Sequence, residues 1–310
     1  MSEIIQQFIS LAERHKDVSR YAVIGKTVNG NSIYAFWFGR GKYKILYDGA
    51  IHGDETVGSR LLLRFANWLL ESNDPLARNM LNDVTTVIIP VLNIDSYGVK
   101  RQNANCVDLN RNFPEGYGGP GSYPGMCCPI CRGYNPLDQP ESKALFDFFK
   151  AEMPYIYLNI HGGTEAFTYP WSCYYDPPKD IDFFRRLGDR YLEIAKQRGV
   201  EPYPYGQTID VKHDMAIEVH IGPRVIYQAC GTATDSAYRL GIYSFVLEAF
   251  YEKSPPDSSI DYIFNRFLPI AQVFYEFTPH APAPVVSTMS IMPFIFVGAV
   301  AGAVASVLSR

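Results

Sequence analysis

The chain has 310 residues, of which 47% are hydrophobic, 14% aromatic and 19% charged. This apolar content is enough to build a large core, so a wholly disordered chain is excluded. The 28 basic and 32 acidic residues give a formal net charge of −4, which argues against a nucleic-acid-binding protein, since such proteins normally carry a basic excess.

The hydrophobic pattern predicts helices and strands that alternate along the chain. An amphipathic helix comes first, because Ile4, Ile5 and Phe8 follow helical spacing. We predict strands at 20–25, 32–39, 43–51, 84–90, 155–160, 225–229 and 242–247, and further helices at 56–70, 141–151, 181–198 and 260–276. Strands separated by helices are typical of an α/β fold, here a mixed, mostly parallel twisted sheet with helices on both faces.

One long stretch and the C-terminal end depart from this alternation. Residues 93–140 are rich in Gly, Pro and Asn with little regular pattern, and so long a loop inside a domain is usually functional. The Pro-rich residues 279–290 resemble a linker. Residues 291–308 carry no charge, and as a helix about 27 Å long they nearly match the ~30 Å hydrocarbon core of a membrane.

The pattern predicts one folded domain over 1–278, a linker over 279–290 and a single-pass membrane anchor over 291–308. A buried C-terminal helix is the alternative for the last segment, and the side of the membrane on which the domain lies stays open. Gly298 and Gly302 form a GxxxG step that predicts weak self-association at most, because small residues are common in such spans.

Two histidines directly follow apolar strand patterns, His52 after KILYDGAI and His161 after YIYLNI. Ligands of open α/β sheets bind at the carboxyl ends of the strands, so both side chains are expected near one crevice. Glu55 begins the next helical pattern, and two His with one Glu are a ligand set for catalytic zinc with the fourth position open to water. The alternative is that these are hydrogen-bonded core histidines.

A third apolar strand pattern ends in a carboxylate, because IYSFVL precedes Glu248. An acidic side chain is costly to bury unless it is paired or functional. If Glu248 lines the same crevice, it is placed to act as the general base for a zinc-activated water. Otherwise it simply emerges into solvent at the strand end.

The segment RQNANCVDLNRNFP places two arginines in the long loop, Arg101 and Arg111. An arginine fork binds a carboxylate with two parallel hydrogen bonds, so the pair Asn110–Arg111 suggests a substrate with a free carboxylate. Arg101 could instead stabilise an oxyanion, and Asp108 could accept the second ring N–H of a zinc-bound histidine.

With these residues, the chain resembles the zinc metallocarboxypeptidase family of the carboxypeptidase A/B and carboxypeptidase T type. The resemblance spans about residues 1–277 and is carried by four motifs in the family's order: HGDE at 52–55, VDLNRNFP at 107–114, NIH at 159–161, and the segment 226–248. It implies a zinc carboxypeptidase-like sheet that binds one Zn²⁺ per chain through His52, Glu55 and His161.

The resemblance also implies a role for each remaining motif residue. Glu248 matches the catalytic acid/base, Arg101 the oxyanion-stabilising arginine, and Asp108 the carboxylate behind a zinc ligand. Asn110, Arg111 and Tyr227 match the groups that hold the substrate's terminal carboxylate, although Tyr227 lies one residue closer to Glu248 than in the pancreatic enzymes. Thr234 matches the floor of the pocket for the last side chain, which favours a neutral residue there.

The six cysteines allow 15 pairings. The family resemblance implies a disulfide between Cys106 and Cys127, and Cys128–Cys131 is a candidate short bridge. Disulfides indicate an exocellular face or a hyperthermophile interior.

The sequence therefore predicts a zinc-dependent exopeptidase that hydrolyses the C-terminal bond of peptides and proteins. Two alternatives remain: an amidase acting on cell-wall or γ-glutamyl peptides with the same fold, and a membrane-tethered binding module without catalysis.

Overall fold

An eight-stranded mixed sheet organises residues 2–208 and 228–278, the part of the chain that the computed structural model describes. The spatial order is β1-β2-β4-β3-β5-β8-β6-β7. The four central strands, β4, β3, β5 and β8, are parallel, whereas β1, β2 and β6 join antiparallel pairs at the flanks. The strands are β1 Ser19–Lys26, β2 Ser32–Phe38, β3 Tyr43–Gly49, β4 Val84–Ile89, β5 Ile156–His161, β6 Thr164–Tyr169, β7 Tyr205–Gln207 and β8 Tyr243–Phe250.

Within the described residues, seven α-helices connect and cover these strands. They are α1 Glu3–Arg14, α2 Thr56–Glu71, α3 Pro75–Asp83, α4 Pro140–Glu152, α5 Ile181–Arg198, α6 Ala233–Arg239 and α7 Ile260–Phe277. Local sequence sets their ends: Asp74 caps α3 by accepting the Leu76 N–H at 2.9 Å, with Pro75 in the first turn. Gly199 ends α5 in the left-handed conformation that glycine adopts without strain.

Two separate apolar cores confirm that helices cover both faces of the sheet. One core packs residues of α1, α2, α5 and α7 against the sheet, among them Phe8, Leu61 and Phe267. The other packs α4 and α6 against the opposite face, through Leu145 and Ala237. Strand β5 is buried at every position because it lies between these two layers, which is why its sequence is a continuous apolar run rather than an alternating one.

Most predicted elements lie within one to three residues of their observed bounds, and the irregular stretch 93–140 contains only short 3₁₀ turns and isolated bridges before α4. Strands β6 and β7 and helices α3 and α6 were not predicted. The strand predicted at 225–229 is wrong for the two residues that the structure describes, 228 and 229. The linker 279–290, the anchor 291–308 and the Gly298–Gly302 step all lie outside the described residues.

The predicted Cys106–Cys127 disulfide is not formed, and both residues are free thiols. Cys128 is bonded to Cys131, as the short spacing suggested, and Cys173 is bonded to Cys230. The Cys106 sulfur lies 3.8 Å from the Lys100 ammonium, and the two chain segments are joined by a Cys127 N–H···O=C Cys106 hydrogen bond of 2.9 Å instead. A main-chain hydrogen bond therefore joins the two segments in place of the disulfide that the resemblance implied.

No helix within 2–208 and 228–278 has the length and apolar character needed to cross a membrane.

Candidate metal centre and active site

Three neighbouring parallel strands bring the candidate catalytic residues to one edge of the sheet. β3 runs into the loop that carries His52, β5 ends at His161, and β8 places Glu248 beside His161 as its register partner. Glu55 is the N-cap of α2, so the turn from β3 into α2 presents it next to His52. The carboxyl ends of the central strands thus form the predicted crevice.

The turn that carries His52 is fastened to the arginine-bearing loop. Gly53 N–H donates to the Arg101 carbonyl at 3.1 Å, and Gly98 N–H donates to the Gly53 carbonyl at 2.7 Å. A Cβ at position 53 would lie 2.4 Å from the Ser96 carbonyl oxygen, so only glycine permits this approach. The HGDE turn and the loop segment that carries Arg101 therefore meet through their backbones.

The Nδ1 atoms of His52 and His161 and the carboxylate group of Glu55 form the corners of a small triangle. His52 Nδ1 lies 3.0 Å from Glu55 Oε1, His161 Nδ1 lies 2.8 Å from Glu55 Oε2, and the two Nδ1 atoms are 3.1 Å apart. Each of the three residues is only 3% exposed. They are the only group of this kind in the described part of the chain, and two imidazoles with one carboxylate suit catalytic zinc.

The opposite ring nitrogens are held by polar neighbours, which leaves both Nδ1 atoms facing inward. His52 Nε2 lies 3.1 Å from Asp108 Oδ1, and His161 Nε2 lies 2.5 Å from Asn159 Oδ1. Burial lowers the pKa of His161, which keeps the imidazole neutral and able to bind a metal. Burial alone would raise the pKa of Glu55, but His52 and His161 hold it well below its usual range.

Arg101 is oriented toward this centre by a buried carboxylate. Its Nε donates to Asp108 Oδ2 at 3.0 Å, and its Nη2 lies 2.9 Å from the same oxygen. Its Nη1 lies 3.1 Å from His52 Nδ1 and 3.4 Å from Glu55 Oε1. Burial opposes ionisation of Asp108, yet Arg101, His52 and Arg111 together lower its pKa far below the usual value. Asp108 therefore serves both His52 and Arg101, as the sequence predicted for the histidine.

A cavity of about 510 Å³ opens in front of the zinc ligands. Glu248 lines this cavity and lies beside the ligand His161 on the neighbouring strand. Burial, together with the negative charge of Glu55, raises the pKa of Glu248 well above the usual value. A carboxyl group in that environment can hold a proton and return it, which general acid–base catalysis requires.

Asn110 and Arg111 reach the cavity from a 3₁₀ turn over Leu109–Arg111, whose N-cap is Asp108. Asn110 Oδ1 accepts the Ala233 N–H at 2.9 Å, which fixes the amide with its Nδ2 3.3 Å from His161 Nε2. Arg111 is 3% exposed, and its Nε donates to the Gly121 carbonyl at 2.8 Å. Two fixed donor groups in one cavity can bind a carboxylate.

Thr234, in the first turn of α6, lines the same cavity with other neutral side chains: Ser172, Thr208, Thr232 and Val246. Asp235, the next residue, is fully buried and accepts the backbone N–H groups of Ser172 and Cys173. Asp235 therefore fixes the cavity wall around Thr234 without lining the cavity itself. Tyr227, the remaining predicted contact for the substrate carboxylate, lies outside the described residues.

Sequence reasoning missed a cation at the cavity rim. Lys253 lines the cavity, and its Nζ lies 2.8 Å from Asp54 Oδ2 and 3.4 Å from Glu55 Oε1. The sequence feature that could have indicated Lys253 is its position shortly after Glu248, at the edge of the sheet where the other site residues lie. Asp48 and Asn159, fully buried polar residues of β3 and β5, were given no role from the sequence, although Asn159 contacts the ligand His161 directly.

Comparisons with known proteins agree with this geometry. Residues 4–269 match the family model described as zinc carboxypeptidase, Peptidase_M14. Carboxypeptidase SOL1 of Arabidopsis thaliana is 35% identical over 194 residues, which cover 58% of this chain and 37% of that protein. Carboxypeptidase A2 of Rattus norvegicus is 26% identical over 276 residues, which cover 81% of this chain and 63% of that protein. The chain thus spans less than two thirds of either relative.

Solved structures share the fold. Bovine thrombin-activatable fibrinolysis inhibitor, solved in complex with tick carboxypeptidase inhibitor, superposes with a TM-score of 0.77 at 23% identity, covering 89% of this chain and 96% of that chain. Murein-tripeptide amidase MpaA from Escherichia coli O157 has a TM-score of 0.52 at 18% identity, covering 80% of this chain and 91% of that chain. With the family match over most of its length, the chain belongs to the zinc carboxypeptidase family.

Proposed function

We propose that this protein is a zinc-dependent exopeptidase that removes the C-terminal residue of peptides and proteins. The observation that carries the proposal is the content of one cavity, which holds the His52–Glu55–His161 triangle, a carboxyl group with a raised pKa at Glu248, and the donor pair Asn110–Arg111. Hydrolysis needs the first two groups, and restriction to a chain end needs the third.

Glu248 performs the proton transfers. His52, Glu55 and His161 would hold the zinc ion, which would supply a Lewis acid for the scissile carbonyl and for the attacking water. Glu248 accepts a proton from the attacking water and later donates it to the leaving amine. Its burial beside Glu55 makes the protonated carboxyl stable enough to carry the proton between these two events.

Arg101 stabilises the negative charge that develops on the carbonyl oxygen. Its guanidinium is already oriented by a hydrogen bond and an ion-pair contact with Asp108 Oδ2, and its Nη1 lies 3.1 Å from the ligand atom His52 Nδ1. A donor that is fixed before the reaction needs no reorganisation when the charge forms, which is the basis of oxyanion stabilisation.

Asn110 and Arg111, together with Tyr227, bind the substrate's terminal carboxylate. The Asn110 amide and the Arg111 guanidinium are held by hydrogen bonds to the backbone at Ala233 and Gly121, so both donors are fixed in place. A free carboxylate can accept charge-assisted hydrogen bonds from these donors, which are about twice as strong as those that a neutral terminal amide can accept. The preference for the chain end follows from that difference.

The test is hydrolysis with and without metal on three matched substrates: a peptide with a free C-terminus, its C-terminal amide, and a cell-wall tripeptide. We expect rapid release of the last residue from the free peptide, complete loss of activity on chelation, and recovery with one equivalent of Zn²⁺. Preferential cleavage of the cell-wall tripeptide would favour the amidase alternative. The murein-tripeptide amidase shares only its fold with this chain. Zinc binding without cleavage of any substrate would favour a binding module.

We further propose that the preferred C-terminal side chain is neutral, because Thr234 and its neighbours in the cavity wall are uncharged. Thr234→Asp is expected to shift the preference toward Lys or Arg at the substrate C-terminus by about 10–100-fold in kcat/KM, the effect of one charge-assisted hydrogen bond of ~1.5–3 kcal/mol. Thr234→Asn is the uncharged control and should keep the neutral preference. An unchanged preference in Thr234→Asp would place the specificity pocket elsewhere.

We also propose that residues 291–308 tether the domain to a membrane, since the run carries no charge. The full chain should co-float with liposomes. The double variant Gly298→Lys/Gly302→Lys should stay in solution, because each lysine at the centre of a span costs ~2.5–3.5 kcal/mol. Equal flotation of both proteins would contradict a spanning segment. A wild-type chain that remains soluble would do the same.

A further inference from the structure

A fully buried carboxyl group lies behind the zinc ligand His161. Asp48 on β3 and Asn159 on β5 are register partners in the sheet, and both are 0% exposed. Asn159 Nδ2 donates to Asp48 Oδ1 at 2.8 Å, while Asn159 Oδ1 lies 2.5 Å from His161 Nε2. The catalytic steps above use neither residue.

His161 Nε2 faces two amides that favour opposite protonation states of this nitrogen. Asn159 presents an oxygen, which needs a proton on Nε2. Asn110 presents Nδ2 at 3.3 Å, and this amide cannot be reversed without loss of its bond from Ala233 N–H to Oδ1. Asn110 therefore favours an unprotonated Nε2.

A protonated and an unprotonated Nε2 correspond to the two neutral tautomers of the imidazole. With the proton on Nε2, the Nδ1 lone pair faces Glu55 and His52 and can bind a metal. With the proton on Nδ1, the inward nitrogen is a donor and cannot. The shorter contact, that with Asn159, is the one that supports metal binding.

Asp48 determines which amide atom Asn159 offers. Burial raises the pKa of Asp48 to about 7, so Asp48 is a carboxylate at alkaline pH. A carboxylate oxygen only accepts hydrogen bonds, so Asp48 Oδ1 then requires the NH₂ group of Asn159, and the Asn159 oxygen must face His161. We propose that Asp48 is a positioning residue that selects the Nε2–H tautomer of His161 through the Asn159 amide, and so makes Nδ1 the metal ligand. The proposal rests on the zinc site of the proposed function.

His52 meets the same requirement by a direct route. Its Nε2 contacts a carboxylate oxygen of Asp108 at 3.1 Å without an intervening amide. For His161, the Asn159 amide lies between the ring and the carboxylate of Asp48. A buried group on β3 can therefore act on a ligand at the end of β5. Groups that orient a metal ligand in this way typically change metal affinity about 10–100-fold when removed.

The test reads the tautomer in metal-free protein, so its outcome does not depend on peptide hydrolysis. In ¹⁵N-histidine-labelled protein at alkaline pH, long-range ¹H–¹⁵N correlation should show His161 protonated at Nε2. Asp48→Val should shift it toward Nδ1–H and weaken Zn²⁺ binding about 10–100-fold in chelator competition. Asp48→Asn can still offer Oδ1 as an acceptor, so it should retain the wild-type tautomer and affinity to within a few-fold.

Thr86→Val is the matched control, because Thr86 is also a fully buried polar residue of the central strands, on β4, and its loss should change neither reading. If Asp48→Val does not fold, Asn159→Ala removes the same acceptor from His161 and should produce the same tautomer shift. Retention of Nε2–H in either folded variant, or an equal loss of zinc affinity in Thr86→Val, would overturn the proposal.

Discussion

Glu248→Gln is expected to reduce kcat/KM by about 10²–10⁴-fold while leaving a folded protein with one zinc per chain. Glutamine keeps the size and polarity of the side chain but cannot accept the proton of the attacking water, and general acid–base catalysis typically contributes that factor. Zinc content should persist because His52, Glu55 and His161 are untouched. Steady-state hydrolysis of a free-carboxylate peptide, with metal analysis on the same sample, measures both quantities.

The raised pKa of Glu248 sharpens this prediction. Burial and the nearby Glu55 disfavour its charged form, so replacement by a neutral side chain should not destabilise the fold, and the thermal midpoint should stay the same or rise. Glu252→Gln, an exposed glutamate in the segment after β8, is the matched control and should retain full activity. Wild-type-like turnover by Glu248→Gln would remove Glu248 from the mechanism, whatever its position in the cavity.

The sequence located the chemistry well because three apolar strand patterns each lead into a polar residue. His52, His161 and Glu248 were placed at strand ends by local pattern alone, and parallel pairing of the central strands then brings them together. The roles of Thr234 and Tyr227 came only from the family resemblance. Local pattern carries no information about which side chain of a loop faces a cavity.

Features that depend on strand register or on non-local contacts were not predicted. The Asp48–Asn159 pair requires knowledge that β3 and β5 are neighbours with these positions opposite each other. The Cys173–Cys230 disulfide joins residues 57 apart in sequence, and 15 pairings gave no reason to choose it. Helix α6 is short, and its cap, Thr232, could be recognised only once the Asp235 N–H was seen to donate to it.

Removal of the Arg111 guanidinium is expected to separate binding of the chain end from catalysis. Arg111→Met keeps the buried stem but deletes the charge, and loss of one partner of a desolvated ion pair costs about 2–5 kcal/mol. For free-carboxylate peptides this corresponds to a loss of about 30–4,000-fold in kcat/KM. The slow cleavage of the matched amidated peptide should change little, because that substrate never offers the carboxylate.

The control for this variant must allow for the second task of Arg111, which is to hold the loop through the Gly121 carbonyl. Arg132→Met serves, because Arg132 Nη1 binds the neighbouring Ser122 carbonyl at 3.2 Å and is absent from the cavity lining. If loop anchoring were the only role of Arg111, both variants would lose activity equally on free and amidated peptides. If Arg111 binds the terminal carboxylate, only Arg111→Met loses the preference for a free chain end, and Arg111→Lys recovers part of it, since lysine restores the charge without the planar fork.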